Sequence, residues 1–188
     1  MAAAWHDGRV DDRALVRAVL DGDRDAFRPV VEREATAVYR ACLRIMGEPA
    51  DAEDVAQESI VIGYRSLATF RGDGPLGAWL VRIATRQAYR RLAQRREAVD
   101  LAAIPEPAGS GPLAAEPLGT VIATERAREL RAGVAALPEP YRETVALRFF
   151  GELALDEIAA ATGRPLNTVK THLRRGLERL RELGAGHS

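Results

Sequence analysis

The sequence contains one cysteine, three histidines and few aromatic residues. Cys42 has no partner for an internal disulfide, and a single cysteine excludes a cysteine-rich zinc site. The three histidines, His6, His172 and His187, are too scattered to form a ligand cluster. We therefore expect no metal site, and Cys42 fits the role of a small core residue on a helix.

Long apolar runs and the common catalytic motifs are also missing. No apolar segment approaches the ~20 residues that a membrane span needs. The first residues, "MAAAWHDGRVDD", lack the basic-then-apolar order of a signal peptide. No phosphate-binding GxxxxGK[ST], dinucleotide-binding GxGxxG or nucleophile-bearing GxSxG occurs. We therefore expect a soluble, cytoplasmic protein that is not an enzyme and uses no cofactor.

The net charge of zero conceals a strong charge pattern. All charged residues from 48 to 58 are acidic, residues 61–96 carry eight arginines against Asp73, and residues 164–181 carry six cations against Glu178. Two separated basic patches suit a long polyanion better than a small ligand, although charge runs also occur as solvated helix faces. The acidic stretch does not predict a metal site, because Glu53 and Asp54 point to different sides of a helix.

The fold class that we predict is all-α, because Ala, Leu and Arg are abundant and aromatic residues are few. Residues 98–119 contain four prolines and three glycines and show no helical periodicity, which predicts a flexible linker between two small helical domains. The predicted units are residues 1–97, the linker 98–119, and residues 120–188. Helices are expected near residues 12–20, 25–46, 51–68 and 75–97, then near 121–136, 140–150, 153–162 and 165–183. Glu48 or Asp51 is expected to cap the third helix.

The last two predicted helices form a helix-turn-helix unit. "LALDEIAAATG" is a short helix that ends at Gly163, and "GRPLNTVKTHLRRGLERLREL" follows it. The second helix has one apolar stripe at helical spacing, formed by Leu166, Val169, Leu173, Leu177 and Leu180. Its opposite face carries hydroxyl groups and cations, which favours DNA binding.

Two long segments resemble the extracytoplasmic-function sigma factors of bacteria. "DAEDVAQESIVIGYRSLATFRGDGPLGAWLVRIATRQAYRRLAQRRE" is similar to their second conserved region, and "ALPEPYRETVALRFFGELALDEIAAATGRPLNTVKTHLRRGLERLREL" is similar to their fourth. The resemblance implies a sigma factor that binds core RNA polymerase and directs it to promoter DNA for transcription initiation. It also admits an anti-sigma factor as a further partner.

The resemblance also implies functional residues. For the minus-thirty-five element they are Asn167, Lys170, Thr171, Arg174 and Arg175. For the minus-ten element they are Phe70, Arg71, Trp79, Arg82, Arg86 and Arg90. For core polymerase they are Asp51, Asp54, Gln57 and Glu58. An arginine can bind guanine through two hydrogen bonds in the major groove, while aromatic stacking and phosphate contacts suit a separated strand.

One stretch departs from the family pattern. Many members have asparagine and aspartate where "IATRQAYRRL" has Arg86 and Arg90. We interpret these two arginines as phosphate contacts, with solvated or ion-paired side chains as the alternative. Phe70 and Trp79 likewise have packing in the core as their alternative role.

Two other functions remain open from the sequence. One is a two-domain helix-turn-helix regulator whose N-terminal domain senses a signal and which acts without being a polymerase subunit. The other is an RNA-binding module, although the aromatic platforms and glycine clamp loops of RNA readers are not evident. Transcription with purified core polymerase separates all three.

Overall fold

The computed structural model of the chain describes residues 12–101 and 118–185, with side chains over 12–95 and 125–184. These residues form α-helices joined by short turns, so the all-α prediction is confirmed for the described part of the chain. The elements are α1 (Asp12–Leu20), a 3-10 helix (Arg24–Phe27), α2 (Arg28–Met46), α3 (Pro49–Arg65), a 3-10 helix (Leu67–Thr69), α4 (Leu76–Leu101), α5 (Leu118–Ala136), α6 (Tyr141–Phe149), α7 (Leu155–Thr162) and α8 (Leu166–Ala185).

The N-terminal core lies where α2, α3 and α4 pack against one another. Each helix contributes an apolar stripe, as expected for amphipathic helices around one core. The fully buried side chains include Val30, Val38, Cys42, Val55 and Leu80. The burial of Cys42 confirms its predicted core position. Burial also raises the pKa of its thiol to about 12, so the thiolate that reacts with electrophiles is scarce near neutral pH.

Helix boundaries differ from the prediction where side chains compete for backbone groups. The second predicted helix begins as a 3-10 helix, because the Asp23 carboxylate accepts from the N–H groups of Asp25 and Ala26. The third ends at Arg65, where the Ser66 hydroxyl donates to the Ile62 carbonyl at 2.7 Å. The cap predicted for this helix is wrong: Glu48 occupies the cap position without a side-chain hydrogen bond.

The predicted linker is helical at both of its ends. Helix α4 continues to Leu101 and α5 begins at Leu118. The composition changes at Ala98, but the first proline is Pro105, so no residue there prevents the helix from continuing to Leu101. The remaining linker residues, 102–117, lie outside the described residues.

The C-terminal helices form the predicted helix-turn-helix. Helix α7 ends at Gly163, whose φ of +68° is a left-handed conformation that favours glycine. Helix α8 then packs on α6 and α7, with Val169 fully buried at the start of its apolar stripe. Leu173 and Leu180 are partly buried against the core, whereas Leu166 is 39% exposed. The stripe predicted for α8 is therefore only partly buried.

Helix α6 is enclosed on more than one side. Five consecutive residues, 143–147, are buried, which a helix with a single core-facing stripe does not show. It contacts α5, α7 and α8 within the C-terminal half and α4 from the N-terminal half. The two halves are therefore packed against each other, with α4 in contact with both α6 and α7.

Candidate nucleic-acid interface

The outer face of α8 presents most of the residues predicted to bind the minus-thirty-five element. Asn167, Lys170, Arg174 and Arg175 are exposed, and Thr171 is half-buried. The Thr171 hydroxyl donates to the Asn167 carbonyl at 2.9 Å, so its oxygen remains able to accept. The structure therefore gathers these five residues on two adjacent turns of one helix, at the solvent-facing side of the helix-turn-helix.

The cations of α8 differ in whether they already have a partner. Arg174 pairs with Glu178 on its own helix at 2.8 Å, and the Arg179 guanidinium lies 4.7 Å from the ring centre of Tyr141. Within the described residues, Lys170 and Arg175 form no ion pair. These two cations are therefore the most available on this face for a phosphate or a base edge.

His172 lies behind this face, not on it. Its ring meets Tyr141 edge-on at 5.7 Å between centres, and the side chain is half-buried. Burial, and after it the charges of Arg164 and Arg175, lower the pKa of His172. His172 therefore favours the neutral form and adds packing at this position.

The residues predicted to bind the minus-ten element lie in two groups on α4 and the loop before it. Phe70, Arg71, Trp79 and Arg82 line a cleft of about 200 Å³ whose other wall is formed by residues 160–162 of α7. The rings of Phe70 and Trp79 meet edge-on at 5.6 Å. Both side chains are half-buried against the core, so each combines a packing contact with partial exposure to solvent.

Arg86 and Arg90 form the second group, one turn further along α4. Both side chains are exposed, and neither has an ion pair among the described residues. They line a cleft of about 240 Å³ whose opposite wall includes Glu139, Arg142 and Glu143 of the C-terminal half. The sequence left open that Arg86 and Arg90 pair with acidic residues of another helix, and among the described residues they do not.

A buried carboxylate joins the two halves beside these clefts. Glu143 of α6 accepts from Arg82 Nε at 3.0 Å through one oxygen, and its other oxygen lies 2.8 Å from Nη1 of Arg164. Burial alone would raise the pKa of Glu143, but the two arginines outweigh it and hold the pKa below its usual range. Glu143 is therefore charged at neutral pH and binds one arginine from each half.

The residues predicted to bind polymerase lie on α3, next to the C-terminal part of α4. Asp54, Gln57 and Glu58 are exposed, with Glu58 3.7 Å from Arg91. The Asp51 carboxylate instead accepts two hydrogen bonds from Arg95, and this pairing raises the pKa of Arg95. Asp51 is therefore held by two hydrogen bonds from Arg95, whereas Glu58 lies at a longer distance from Arg91 and Asp54 forms no ion pair among the described residues.

Contact between the two halves was not predicted from the sequence. Arg44 donates to the Phe150 carbonyl at 2.9 Å and pairs with Glu152 at 2.7 Å, and Arg131 donates to the Arg44 carbonyl at 2.8 Å. A signal for such a contact exists in α6, where Glu143 precedes four consecutive residues without charge, Thr144 to Leu147. A helix with so few outward polar positions requires partners on several sides.

Comparisons with known proteins match both halves of the chain. The family described as Sigma-70 region 2 matches residues 30–98, and the family described as Sigma-70, region 4 matches residues 127–180. Among curated relatives, the ECF RNA polymerase sigma factor SigW of Bacillus subtilis is 31% identical over 176 residues, covering 89% of this chain and 93% of that protein. The chain belongs to the ECF sigma factors. It therefore binds core RNA polymerase and directs promoter recognition, and it is not an enzyme.

Further relatives agree with this membership. The ECF RNA polymerase sigma-E factor of Escherichia coli K12 is 31% identical over 177 residues, covering 90% of this chain and 92% of that protein. The ECF RNA polymerase sigma factor SigE of Mycolicibacterium smegmatis is 32% identical, covering 94% of this chain and 70% of that protein. Membership in this family sets aside the regulator and the RNA-binding module that the sequence had left open.

Two solved structures share the fold of this sigma factor. CnrH, in complex with the cytosolic domain of CnrY, has a TM-score of 0.58 at 22% identity, covering 94% of this chain and 99% of that chain. The sigma factor RpoE from Bartonella quintana, in complex with the anti-sigma factor NepR, has a TM-score of 0.52 at 20% identity, covering 85% and 96%. Among the helices that the structure describes, none is both long and apolar enough to cross a membrane.

Proposed function

We propose that this sigma factor recognises the two promoter elements with two separate surfaces. The minus-thirty-five surface consists of Asn167, Lys170, Thr171, Arg174 and Arg175. The minus-ten surface consists of Phe70, Arg71, Trp79, Arg82, Arg86 and Arg90. The observation that carries this proposal is the exposed cationic face of α8, on a helix-turn-helix whose apolar side is anchored by Val169.

The chemistry of each surface fits its element. On α8, exposed arginines can bind base edges of an intact duplex in the major groove, and Lys170 can bind a phosphate. On α4 and its preceding loop, Phe70 and Trp79 offer aromatic rings on which unstacked bases can stack, while Arg82, Arg86 and Arg90 supply phosphate contacts. The minus-thirty-five surface therefore suits double-stranded DNA, and the minus-ten surface suits a separated strand.

We assign polymerase binding to the acidic face of α3. Asp54, Gln57 and Glu58 are its exposed members. Asp51 belongs to the same proposal, but its carboxylate already binds Arg95, so it holds the end of α4 against α3. We expect truncation of Asp51 to act mainly through that positioning.

Residues 1–97 and 120–188 are the two proposed domains, and residues 98–119, whose two ends are helical, are the proposed linker between them. The proposal rests on the composition of that segment, and we expect a protease to cut within it. The protein is expected to act in the cytoplasm, where the polymerase and its promoters are. The two solved relatives are complexes with other proteins, one of them an anti-sigma factor, and we expect this chain to have such a partner too.

The test is promoter-specific transcription by purified core polymerase with this protein added, on a library of promoter sequences. We expect a preferred minus-thirty-five and a preferred minus-ten sequence. Substitutions on α8 should change the first preference, and substitutions on the loop before α4 should change the second. If substitutions on α8 instead change the minus-ten preference, or substitutions on the loop before α4 change the minus-thirty-five preference, the two surfaces are wrongly assigned.

A further inference from the structure

The loop between Phe70 and Pro75 is covered by α7 of the C-terminal half. A methyl group built on Gly74 would lie 2.6 Å from the Cβ atom of Ala160, and among the described residues beyond its two neighbours in sequence it would meet no other residue within 4 Å. Contacts closer than 3.0 Å between such atoms do not occur without a shift of the backbone. The absence of a side chain at Gly74 is therefore what allows α7 to approach the loop.

Charged groups make further contacts next to the C-terminal end of α7. Glu143 binds Arg82 of the minus-ten surface and Arg164, the residue two positions before α8. Arg71, also of the minus-ten surface, places its guanidinium against Gly163 at the helix-turn-helix turn. Within the described residues, these contacts leave the outer face of α8 uncovered.

We propose that the free sigma factor is closed, with α7 lying against the loop of the minus-ten surface and Glu143 of α6 occupying the phosphate position at Arg82. The inference rests on the proposed function of that surface. A carboxylate and a DNA phosphate are both anions that accept hydrogen bonds from a guanidinium, so they compete for the same arginine. Recognition of the minus-ten strand therefore requires the two halves to separate, whereas the minus-thirty-five surface is available in the closed chain.

The first test uses a steric wedge and its rescue. Gly74→Ala places a methyl group against Ala160, and Ala160→Gly removes the atom that it meets. Gly74 does not have a left-handed φ, so alanine is compatible with its backbone. We expect Gly74→Ala to enlarge the radius of gyration of the full chain in small-angle X-ray scattering. We also expect hydrogen exchange at α7 and at residues 69–76 to become about tenfold faster, as overpacking predicts.

The double variant should return both measurements to the values of Ala160→Gly alone. This comparison separates the contact from any local effect of glycine in α7. Wild-type dimensions and exchange in Gly74→Ala would overturn the inference, as would a failure of Ala160→Gly to restore them. Neither readout depends on DNA, so this result is independent of the proposed function.

The second test measures whether opening the contact between α7 and the loop increases the affinity for single-stranded DNA. Ala160→Leu widens the same gap from the C-terminal side and leaves every residue of the minus-ten surface unchanged. With a fluorescent random-sequence single-stranded oligonucleotide at low salt, we expect this variant to bind about tenfold more tightly than the wild type. Ala136→Leu, at an exposed position of α5, is the matched control and should bind like the wild type.

The two tests together distinguish the two proposals. Opening of Ala160→Leu in scattering without tighter binding would show that the covered face does not bind the strand, and the proposed minus-ten surface would fail. If Gly74→Ala and Ala160→Leu both keep wild-type dimensions in scattering, the inference of a closed state held by this contact is overturned.

Discussion

The two surfaces that we propose for DNA binding differ in what lies against them. On the minus-thirty-five surface, Lys170 and Arg175 are exposed and form no ion pair among the described residues. On the minus-ten surface, Arg82 is bound by Glu143 and the preceding loop meets α7. The proposed minus-thirty-five surface is thus open, whereas part of the proposed minus-ten surface is in contact with the C-terminal half of the chain.

The difference follows from the two helices that carry these surfaces. Helix α8 has one apolar stripe, which packs on α6 and α7, and its remaining face points to solvent. Helix α4 packs on α2 and α3 with one side and meets α6 and α7 with another. A helix between two domains can bind a third partner on the shared side only when one domain moves away.

The largest effect is expected at the open surface. Arg175→Ala should weaken promoter binding by about 1–3 kcal/mol, because a good arginine contact to a base contributes that much discrimination. The loss should depend on the minus-thirty-five sequence in a promoter-library transcription assay. Arg181→Ala, at an exposed position near the end of the same helix, is the control. An equal loss on all sequences would show that Arg175 contacts a phosphate and not a base.

The next effect is expected at the covered surface. Glu143→Gln keeps the shape of the side chain but removes the charge that binds Arg82 and Arg164, so the contact between the halves should weaken by about 1 kcal/mol. Small-angle scattering at increasing salt should show opening at a lower salt concentration than in the wild type. Glu125→Gln, which loses an exposed pair with Arg128 within α5, should open at the wild-type salt concentration. Identical curves for both variants would contradict a role for Glu143 in closure.

A smaller effect is expected from the two arginines further along α4. Arg86→Ala and Arg90→Ala should each reduce the slope of log affinity against log salt by about one unit, as the loss of one phosphate contact does. Open-complex formation should fall to a similar degree on every minus-ten sequence, since phosphate contacts carry no base information. A changed sequence preference would instead mean that these arginines read bases.

The smallest effect is expected on the acidic face of α3. Asp54→Lys and Glu58→Lys should slow association with core polymerase and change its salt dependence, because exposed charges at an interface act mainly on the association rate. Helicity by circular dichroism should be unchanged. Glu32→Lys, at an exposed position of α2, is a control with the same charge change. If all three variants associate equally slowly, net charge rather than this face is responsible.

The sequence predicted much of the fold because its signals are local. The range expected for the first helix, 12–20, agrees with α1, and the turn at Gly163 needed only the preference of glycine for a left-handed conformation. The face of α8 followed from the spacing of Val169 and Leu173. Boundaries failed where single side chains capture backbone groups, as Asp23 and Ser66 do, because such bonds depend on geometry within one turn.

The covering of the minus-ten surface could not be predicted in the same way. It depends on Glu143 meeting Arg82, which is 61 residues away in sequence, and on Gly74 facing Ala160. Neither pair shows any periodicity in the sequence. The resemblance to a family supplied the proposed site residues for each domain separately, so it gave no information on contacts between the domains.

A distance measurement tests most directly whether the two halves of the free chain are closed against each other. Spin labels on Ala68→Cys and Asp156→Cys, both at exposed positions, report on the separation of the loop from α7, and the buried Cys42 should remain unlabelled. Double electron–electron resonance should give one narrow, short distance in the free chain and a longer one after core polymerase binds. A broad distribution of long distances in the free chain, unchanged by core polymerase, would contradict a closed free chain that opens when polymerase binds.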